Sequence, residues 1–439
     1  MNQIISVVIL LLLDVLAIAL SIVLGYELRI SLNGFLSIEL HHSLSQYLSF
    51  SLLYVIPIMM FIYEGIYTQR RDFWQESYHV IRALIIALVV IFAILAMSKN
   101  VELFSRLTIV FSVFFMMLFI PSFKNIGKKW LFKIGVWKKR ARVYGCDILV
   151  RQEVFTNPYL GYKDAKKRDA EVVFVNAKDM GLDERDLIIS EALSAKHEVL
   201  FIPTFDEFDL TNSHIDKLQN TRTNLVYFKN RLASKSRMFV QVCFNYILAI
   251  LLLPILLPVI AILAFLIKKE SPGPVFFAHN RIGKDGKVIP TLKFRSMYSD
   301  AAVRLEKLLE EDAEIKAEWE KNFKLKEDPR VTKIGTLLRK TSLDELPQIF
   351  NVLKGEMNFV GPRPVIQQEI DQYYKEDAKY YFMVKPGITG LWQVSGRSDT
   401  DYEYRVKTDK WYVMNWSLWL DIVILFKTVK VVLFREGAY

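Results

Sequence analysis

Apolar residues gather into long unbroken runs at two places in this chain and into short broken ones elsewhere. Residues 4–26, 47–67, 80–97 and 107–123 form four runs. Each is close to the ~20 residues a helix needs to cross a bilayer, and together they predict a bundle of four spanning helices over residues 1–123. The first run is too long, and too poor in positive charge ahead of it, for a cleaved signal peptide. Ionisable residues are nearly absent from the runs. Asp14 lies inside the first of them, and an intramembrane carboxylate is a functional candidate unless it pairs with a polar neighbour.

After a basic linker at 124–140 the rhythm changes. Residues 141–144, 171–175 and 199–203 read as short buried strands and 183–194 as a helix. That alternation suggests a small α/β domain over 141–230 with a parallel sheet. A dinucleotide-binding domain would place a glycine fingerprint after its first strand. Here that place reads Tyr144-Gly-Cys-Asp-Ile-Leu-Val, with one glycine. The expectation is a degenerate Rossmann-like domain, structural or regulatory, that binds no nicotinamide cofactor.

A fifth apolar run, 238–267, contains Pro254 and Pro258. Each proline removes a helical hydrogen bond and favours a kink. Basic residues flank both ends: Arg231, Lys235 and Arg237 before, Lys268 and Lys269 after. A re-entrant helix that enters, breaks at Pro258 and leaves on the same face accommodates both facts; an ordinary kinked spanning helix is the alternative. The domain it opens, 231–439, is otherwise soluble in pattern. A strand and turn at 274–287 precede a second strand at 291–297, with Lys293 and Arg295 on one face by alternation. A charged helix comes next at 299–322, and a glycine-punctuated loop at 385–397. In the tail, Trp411, Tyr412, Trp416 and Trp419 precede an apolar helix at 422–434, which suits either a membrane interface or a buried core.

The formal net charge is +10, which points to anionic partners: lipid head groups, phosphates or nucleic acid. The membrane runs and the phosphate-type motifs of the C-terminal half favour the first two, and no nucleic-acid partner is expected. Arg70 and Arg71 lie in the second loop and a cluster of Lys and Arg follows the fourth run, whereas the first and third loops are poor in both. This places both ends of the bundle in the cytoplasm. Cys146 and Cys243 have no metal or redox spacing, and the absence of a disulfide framework is compatible with a reducing cytosolic face.

The chemistry concentrates in residues 339–364. Asp344 and Glu345 follow a basic pair and open an apolar helix, and a tight loop then presents Arg363 between two prolines. Carboxylates can hold a cation or attack phosphorus, and Arg clamps oxygens bidentately, so the combination suits phosphate chemistry. A structural reading competes. Ser342 to Glu345 fits a capping box, with the acids merely favouring a helix N-terminus, although Pro347 sits badly with that cap. The 385–397 loop, ending in Arg397, either cradles an anion or is a turn.

These segments together resemble the bacterial polyprenyl-phosphate hexose-1-phosphate transferases, the large monotopic phosphoglycosyl transferases. The matching signatures are Lys293-Phe-Arg-Ser-Met297, Thr341-Ser-Leu-Asp-Glu-Leu-Pro-Gln348, Phe350-Asn-Val-Leu-Lys-Gly355, Val360-Gly-Pro-Arg-Pro364, Lys385-Pro-Gly-Ile-Thr-Gly390 and the Trp411-Tyr-Val tail, in one order. Four membrane helices and a degenerate α/β module fit the larger architecture. One departure is Leu257-Pro258, where related small enzymes carry Ser-Pro.

The resemblance implies an α+β catalytic domain anchored by the re-entrant helix in the bacterial inner membrane and facing the cytoplasm. It implies transfer of a hexose-1-phosphate from a UDP-sugar to undecaprenyl phosphate, with release of UMP, as the first membrane step of O-antigen, capsule or exopolysaccharide assembly. Residues 391–397 and 435–439 point to UDP-galactose, with UDP-glucose or an N-acetylhexosamine donor as the alternative. Asp344 would be the nucleophile that carries the phosphosugar, and Glu345 would assist in metal or proton handling. Lys293, Arg295, Arg363 and Arg397 would hold phosphates, and Mg2+ near Asp344 would be the cofactor. A homodimer is left open. The rival class is a channel or non-catalytic membrane scaffold, disfavoured by the scarcity of intramembrane charge and by the clustering of motifs in one domain.

Overall fold

The computed structural model describes residues 2–33, 43–98, 104–145, 147–166, 169–178, 180–195, 198–203, 214–218, 223–227, 232, 234–311, 328–395 and 401–434. It divides into two compact units, Met1–Thr204 and Phe205–Tyr439.

The first unit opens with helices α1 (Asn2–Ser31), α2 (Leu44–Leu48), α3 (Leu52–Tyr63), α4 (Phe73–Met97) and α5 (Arg106–Lys133). Four stretches here, Ile4–Ser31, Leu44–Tyr63, Phe73–Met97 and Arg106–Lys133, are long and apolar enough to cross a membrane. Their buried faces meet in one core that includes Leu10, Ile18, Leu84, Ile91, Ile109 and Met116. The apolar runs understate α4 and α5. Asp72 caps α4 by accepting a hydrogen bond from Trp74 N at 3.0 Å, so the helix begins before Glu76. Likewise, α5 runs on past Lys124 and Lys128.

The expectation of almost no charge among these helices is therefore corrected. Lys124 Nζ lies 2.7 Å from Asp14 Oδ2 with both side chains fully buried, and Tyr67 donates to the same oxygen at 2.6 Å. Glu76 pairs with Lys128, also buried. Asp14 thus has its polar neighbours. The pairing partners lie just beyond the ends of the apolar runs, where a hydropathy pattern stops looking.

The α/β part follows the expected alternation: β1 (Lys139–Tyr144), α6 (Ile148–Thr156), β2 (Tyr162–Asp164), β3 (Val172–Asn176), α7 (Leu182–Ser194) and β4 (Glu198–Ile202). The sheet order is β2-β1-β3-β4, all parallel, with Ala141 opposite Val172 and Val172 opposite Glu198. The central strand β3 is buried at every position, which is why it reads as a continuous apolar run. At the start of α6, where a dinucleotide fold would seat phosphate, Asp147 Oδ1 accepts from Leu149 N at 2.9 Å and Val150 N at 3.2 Å. The chain's own carboxylate occupies those donors. Arg70, an orientation signal in the sequence, also clasps this domain. It donates to the carbonyls of Leu160 (2.8 Å) and Gly161 (2.7 Å) and stacks on Trp137 at 4.1 Å. Gly161 has φ +70°, and a Cβ there would collide with that guanidinium.

The second unit contains the antiparallel pair β5 (His214–Leu218) and β6 (Thr223–Tyr227), then α8 (Lys235–Glu270). The helical assignment of α8 runs through Pro254 and Pro258. Two points on α8, Asn245 about a third of the way along and Glu270 at its end, bond to the rest of the unit. Asn245 Oδ1 accepts from Phe359 N at 2.7 Å. The Glu270 carboxylate accepts from Lys333 N at 2.7 Å and Ile334 N at 2.9 Å, at the start of helix Lys333–Thr341. Between them Ile250, Leu251, Ile255 and Ile262 are exposed.

Strands β7 (Phe276–Ile282) and β8 (Val288–Phe294) form an antiparallel hairpin. β9 (Asn358–Val360) and β10 (Gly387–Thr389) pair in parallel. Helix Leu418–Phe434 buries Ile424 and leaves Phe426, Val429 and Val432 exposed. Its Asp421 is buried, accepting from Tyr412 Oη at 2.8 Å and Trp416 Nε1 at 3.0 Å. Burial pushes the Asp421 carboxyl up to about 7. Of the charged helix expected at 299–322, Ala301–Glu311 is helical and 312–327 lie outside the described residues.

Candidate active site

Three pieces of chain, distant in sequence, build the site. The first is β8. Its backbone is gripped by Asn351 of helix Gln348–Leu353: Asn351 Oδ1 accepts from Leu292 N at 3.0 Å, and Nδ2 donates to Pro290 O at 2.9 Å. Asn351 is fully buried, so its loss would strand two backbone groups at a cost of ~1–3 kcal/mol each. This grip sets the height of Lys293.

The second piece is the turn that carries the acids. Helix Lys333–Thr341 ends at Ser342, which adopts the left-handed conformation, φ +55°. A non-glycine residue there stores ~1–3 kcal/mol of strain, a feature common at functional sites. Leu343–Glu345 then forms one 3-10 turn, and the next α-helix starts only at Gln348, after Pro347. Ser342 makes no side-chain cap. The capping-box reading is therefore corrected: a left-handed serine lacks the extended backbone of an N-cap, and Asp344 and Glu345 do not sit in the first turn of an α-helix.

The acids instead converge on one cation. Lys293 Nζ is 2.7 Å from Glu345 Oε1 and 3.6 Å from Asp344 Oδ2. Burial is the largest influence on Asp344 and holds its carboxyl above the ordinary range; neighbouring Glu345 adds to the rise, while Lys293 and Arg339 oppose it. Two side-by-side carboxylates are a fitting donor set for Mg2+, which is held by one or two carboxylates once substrate phosphates complete its shell. No cage of three or more His, Cys, Asp or Glu gathers among the described residues, so any cation here would depend on the substrate.

The third piece is a pair of interlocked loops. Gly361 N donates to Thr389 O at 2.9 Å and Gly387 N to Pro362 O at 2.9 Å. A Cβ on Gly387 or Gly390 would collide with the Gly361 backbone. The glycines of the 385–390 signature therefore serve loop-to-loop contact, and that contact presents Arg363. Glu369 braces the same corner: it accepts from Ile366 N (2.9 Å), Tyr402 Oη (2.8 Å) and Arg281 (3.3 Å).

Together these line a cleft, with Arg281, Thr291 and Lys293 from the hairpin, Glu345 from the acid turn, Gln348 from the helix after it, Arg363 from the loops and Gln393 from helix Leu391–Ser395. Lys293, Glu345 and Arg363, expected from sequence, are brought together here, with Asp344 beside Lys293. Arg295 is not: its guanidinium donates to the carbonyls of Pro272 (3.0 Å) and Ser271, tying the end of α8 to the hairpin. Pro258 lies within α8, and Arg397 lies outside the described residues. Arg281, Thr291, Gln348 and Gln393 were not anticipated. For Arg281 and Thr291 the usable signal was alternation along two strands whose pairing register places them on the face of Lys293.

The bacterial sugar transferase family matches residues 236–435, the whole of this cleft. Over 404 residues the chain is 38% identical to the undecaprenyl-phosphate galactose phosphotransferase of Salmonella typhimurium, covering 85% of this chain and 84% of that protein. It is 36% identical over 405 residues to the UDP-galactose-lipid carrier transferase of Erwinia amylovora, again 85% and 84%. Similarity to the UDP-glucose:undecaprenyl-phosphate glucose-1-phosphate transferase of Escherichia coli is 38% over 253 residues, 55% of this chain and 50% of that one. With likeness extending through both units and a cleft built from the signatures, this chain belongs to the bacterial sugar transferases, the family of polyprenyl-phosphate hexose-1-phosphate transferases.

Proposed function

We propose that this enzyme moves galactose-1-phosphate from UDP-galactose to undecaprenyl phosphate, releasing UMP and initiating polysaccharide assembly at the cytoplasmic face of the bacterial inner membrane. The observation that carries the reading is the Asp344–Glu345 pair around one lysine, at a cleft whose other charged groups are arginines. Two of the relatives whose similarity covers most of both chains are named for galactose. UDP-glucose is the second reading, favoured by the shorter match to a glucose-1-phosphate transferase.

Donor and acceptor are both phosphate anions and repel one another, so a covalent relay that takes them in turn suits the problem. An Asp344 carboxylate oxygen attacks the β-phosphorus of the UDP-sugar. The bond from that phosphorus to the bridging oxygen breaks, and UMP leaves with the electron pair. An oxygen of undecaprenyl phosphate then attacks the same phosphorus and frees Asp344. Lys293 and Arg363 hold the phosphoryl oxygens, with charge fixed in advance of the reaction. Mg2+, bound by the two carboxylates and the donor's diphosphate, would offset the charge of the leaving group. Glu345 assists and keeps Lys293 in place.

For the acceptor to arrive, the cleft must sit at the depth of a lipid phosphate. Anchoring of α8 at both Asn245 and Glu270 to the soluble body supports a re-entrant helix with both flanks cytoplasmic. Cysteines at Lys235 and Lys269 should then label from the same side, and labelling from opposite sides would sink that topology. Release of UMP from a panel of UDP-sugars, in membranes supplied with undecaprenyl phosphate, tests the reaction. UDP-galactose should be preferred, and a clear preference for UDP-glucose would replace the galactose reading.

A further inference from the structure

We infer that Thr291 and Arg281 form a phosphate subsite with Lys293, in which the Thr291 hydroxyl donates a hydrogen bond to a non-bridging oxygen of the donor's diphosphate. The inference rests on the proposed transfer reaction and adds residues to it. Thr291 is 2% exposed, lines the cleft, and its Oγ1 has no hydrogen-bond partner among the described residues. A buried hydroxyl left unpaired costs ~1–3 kcal/mol, and such groups are rare unless something else meets them.

The surroundings say what that something is. Register places Lys293 opposite Phe277, Thr291 opposite His279 and Ile289 opposite Arg281. Cross-strand partners share a face, so Arg281, Thr291 and Lys293 follow one another along the same side of the hairpin. The hydroxyl is flanked by two cations, with Arg363 across the cleft. An oxyanion is the acceptor that satisfies a hydroxyl in such a field, and a hydrogen bond to a charged group is about twice as strong as a neutral one. The subsite is also rigid. Asn351 fixes the peptide groups on both sides of Thr291, and Glu369 holds Arg281 from behind at 3.3 Å.

The test compares full-length wild type with Thr291→Val and Thr291→Ser in detergent or nanodiscs, using UDP-galactose and UDP-glucose as donors. Valine keeps the β-branched shape that suits a strand and removes only the hydroxyl. It should lower kcat/KM roughly ten- to a hundred-fold, by the same factor for both sugars. Serine should stay within about threefold of wild type. Inhibition by inorganic pyrophosphate, which carries no sugar, should weaken in the valine variant and in Arg281→Gln. A valine variant within twofold of wild type overturns the inference, as does a loss confined to one sugar, which would move Thr291 to the sugar ring. Unchanged pyrophosphate inhibition in both variants also overturns it. If wild type releases no UMP from any UDP-sugar, the functional reading itself fails, and that outcome is distinct from the other three.

Discussion

Charged side chains are buried in two regions of this protein, and they are used in opposite ways. In the membrane bundle the buried acids have bases of their own: Asp14 with Lys124 and Glu76 with Lys128, all essentially without exposure, and Glu64 with His79 and Arg82. In the catalytic unit two acids share one lysine, the side chains remain 17–26% exposed, and Arg281 and Arg363 line the same opening. Closed pairs hold helices together. A partly exposed cluster over a strained turn can exchange its partners for a ligand.

The bundle half of this contrast can be broken directly. Lys124→Met leaves Asp14 buried and unpaired and should cost ~3–5 kcal/mol of stability, read as a large fall in the thermal unfolding midpoint in detergent. The double variant Asp14→Asn with Lys124→Met should recover most of it. Equal damage in both variants would mean the pair is not a closed structural unit.

On the catalytic side, Lys293→Met should leave stability nearly unchanged and cut turnover ~100- to 1,000-fold, the usual loss for a charge-stabilising donor. It should also reshape the pH profile. In the proposed mechanism Asp344 attacks only when ionised, so kcat/KM should fall as pH drops through its carboxyl pKa. Burial already holds that pKa above the ordinary range, and Lys293 is the largest influence pulling it down. Removing the lysine must move the acid limb to higher pH. A limb that stays in place, or moves to lower pH, would separate Lys293 from Asp344.

The smallest effect expected is in the α/β sheet. Asp147→Ala removes a side-chain cap and should cost ~1 kcal/mol, seen as a small shift in unfolding midpoint. Because the protein's own carboxylate fills the phosphate position, wild type should show no NAD(H) binding by calorimetry at physiological concentrations. Micromolar binding would contradict that account of the domain.

The same contrast marks what the sequence could show. Helices and parallel strands are written in local periodicity, so β1, β3 and β4 could be placed within a few residues and the apolar parts of α1 to α5 located, though the polar ends of α4 and α5 were missed and α2 and α3 read as one run. The ion pairs could not, because Glu76 and Lys128 meet across 52 positions and lie beyond the apolar runs. At the site, Asp344, Glu345, Lys293 and Arg363 were legible through their signatures. Arg281 and Thr291 were not, since their place depends on hairpin register. Alternation suggested Arg295 beside Lys293, but its guanidinium turns away to two carbonyls at the end of α8, a choice made by tertiary contacts. Ser342 has the residue type of a cap, and only its left-handed backbone rules that role out.

The central claim is that Asp344 carries the sugar phosphate. Asp344→Asn keeps size and shape but cannot readily form an acyl phosphate. The protein should fold and insert normally while turnover falls by several powers of ten. The direct measurement supplies UDP-galactose labelled in its β-phosphate, without lipid acceptor, to wild type and to the asparagine variant. The account predicts label retained on wild-type protein and none on the variant. Full turnover by Asp344→Asn, in a preparation shown free of wild-type enzyme, would contradict it and leave Asp344 a structural residue.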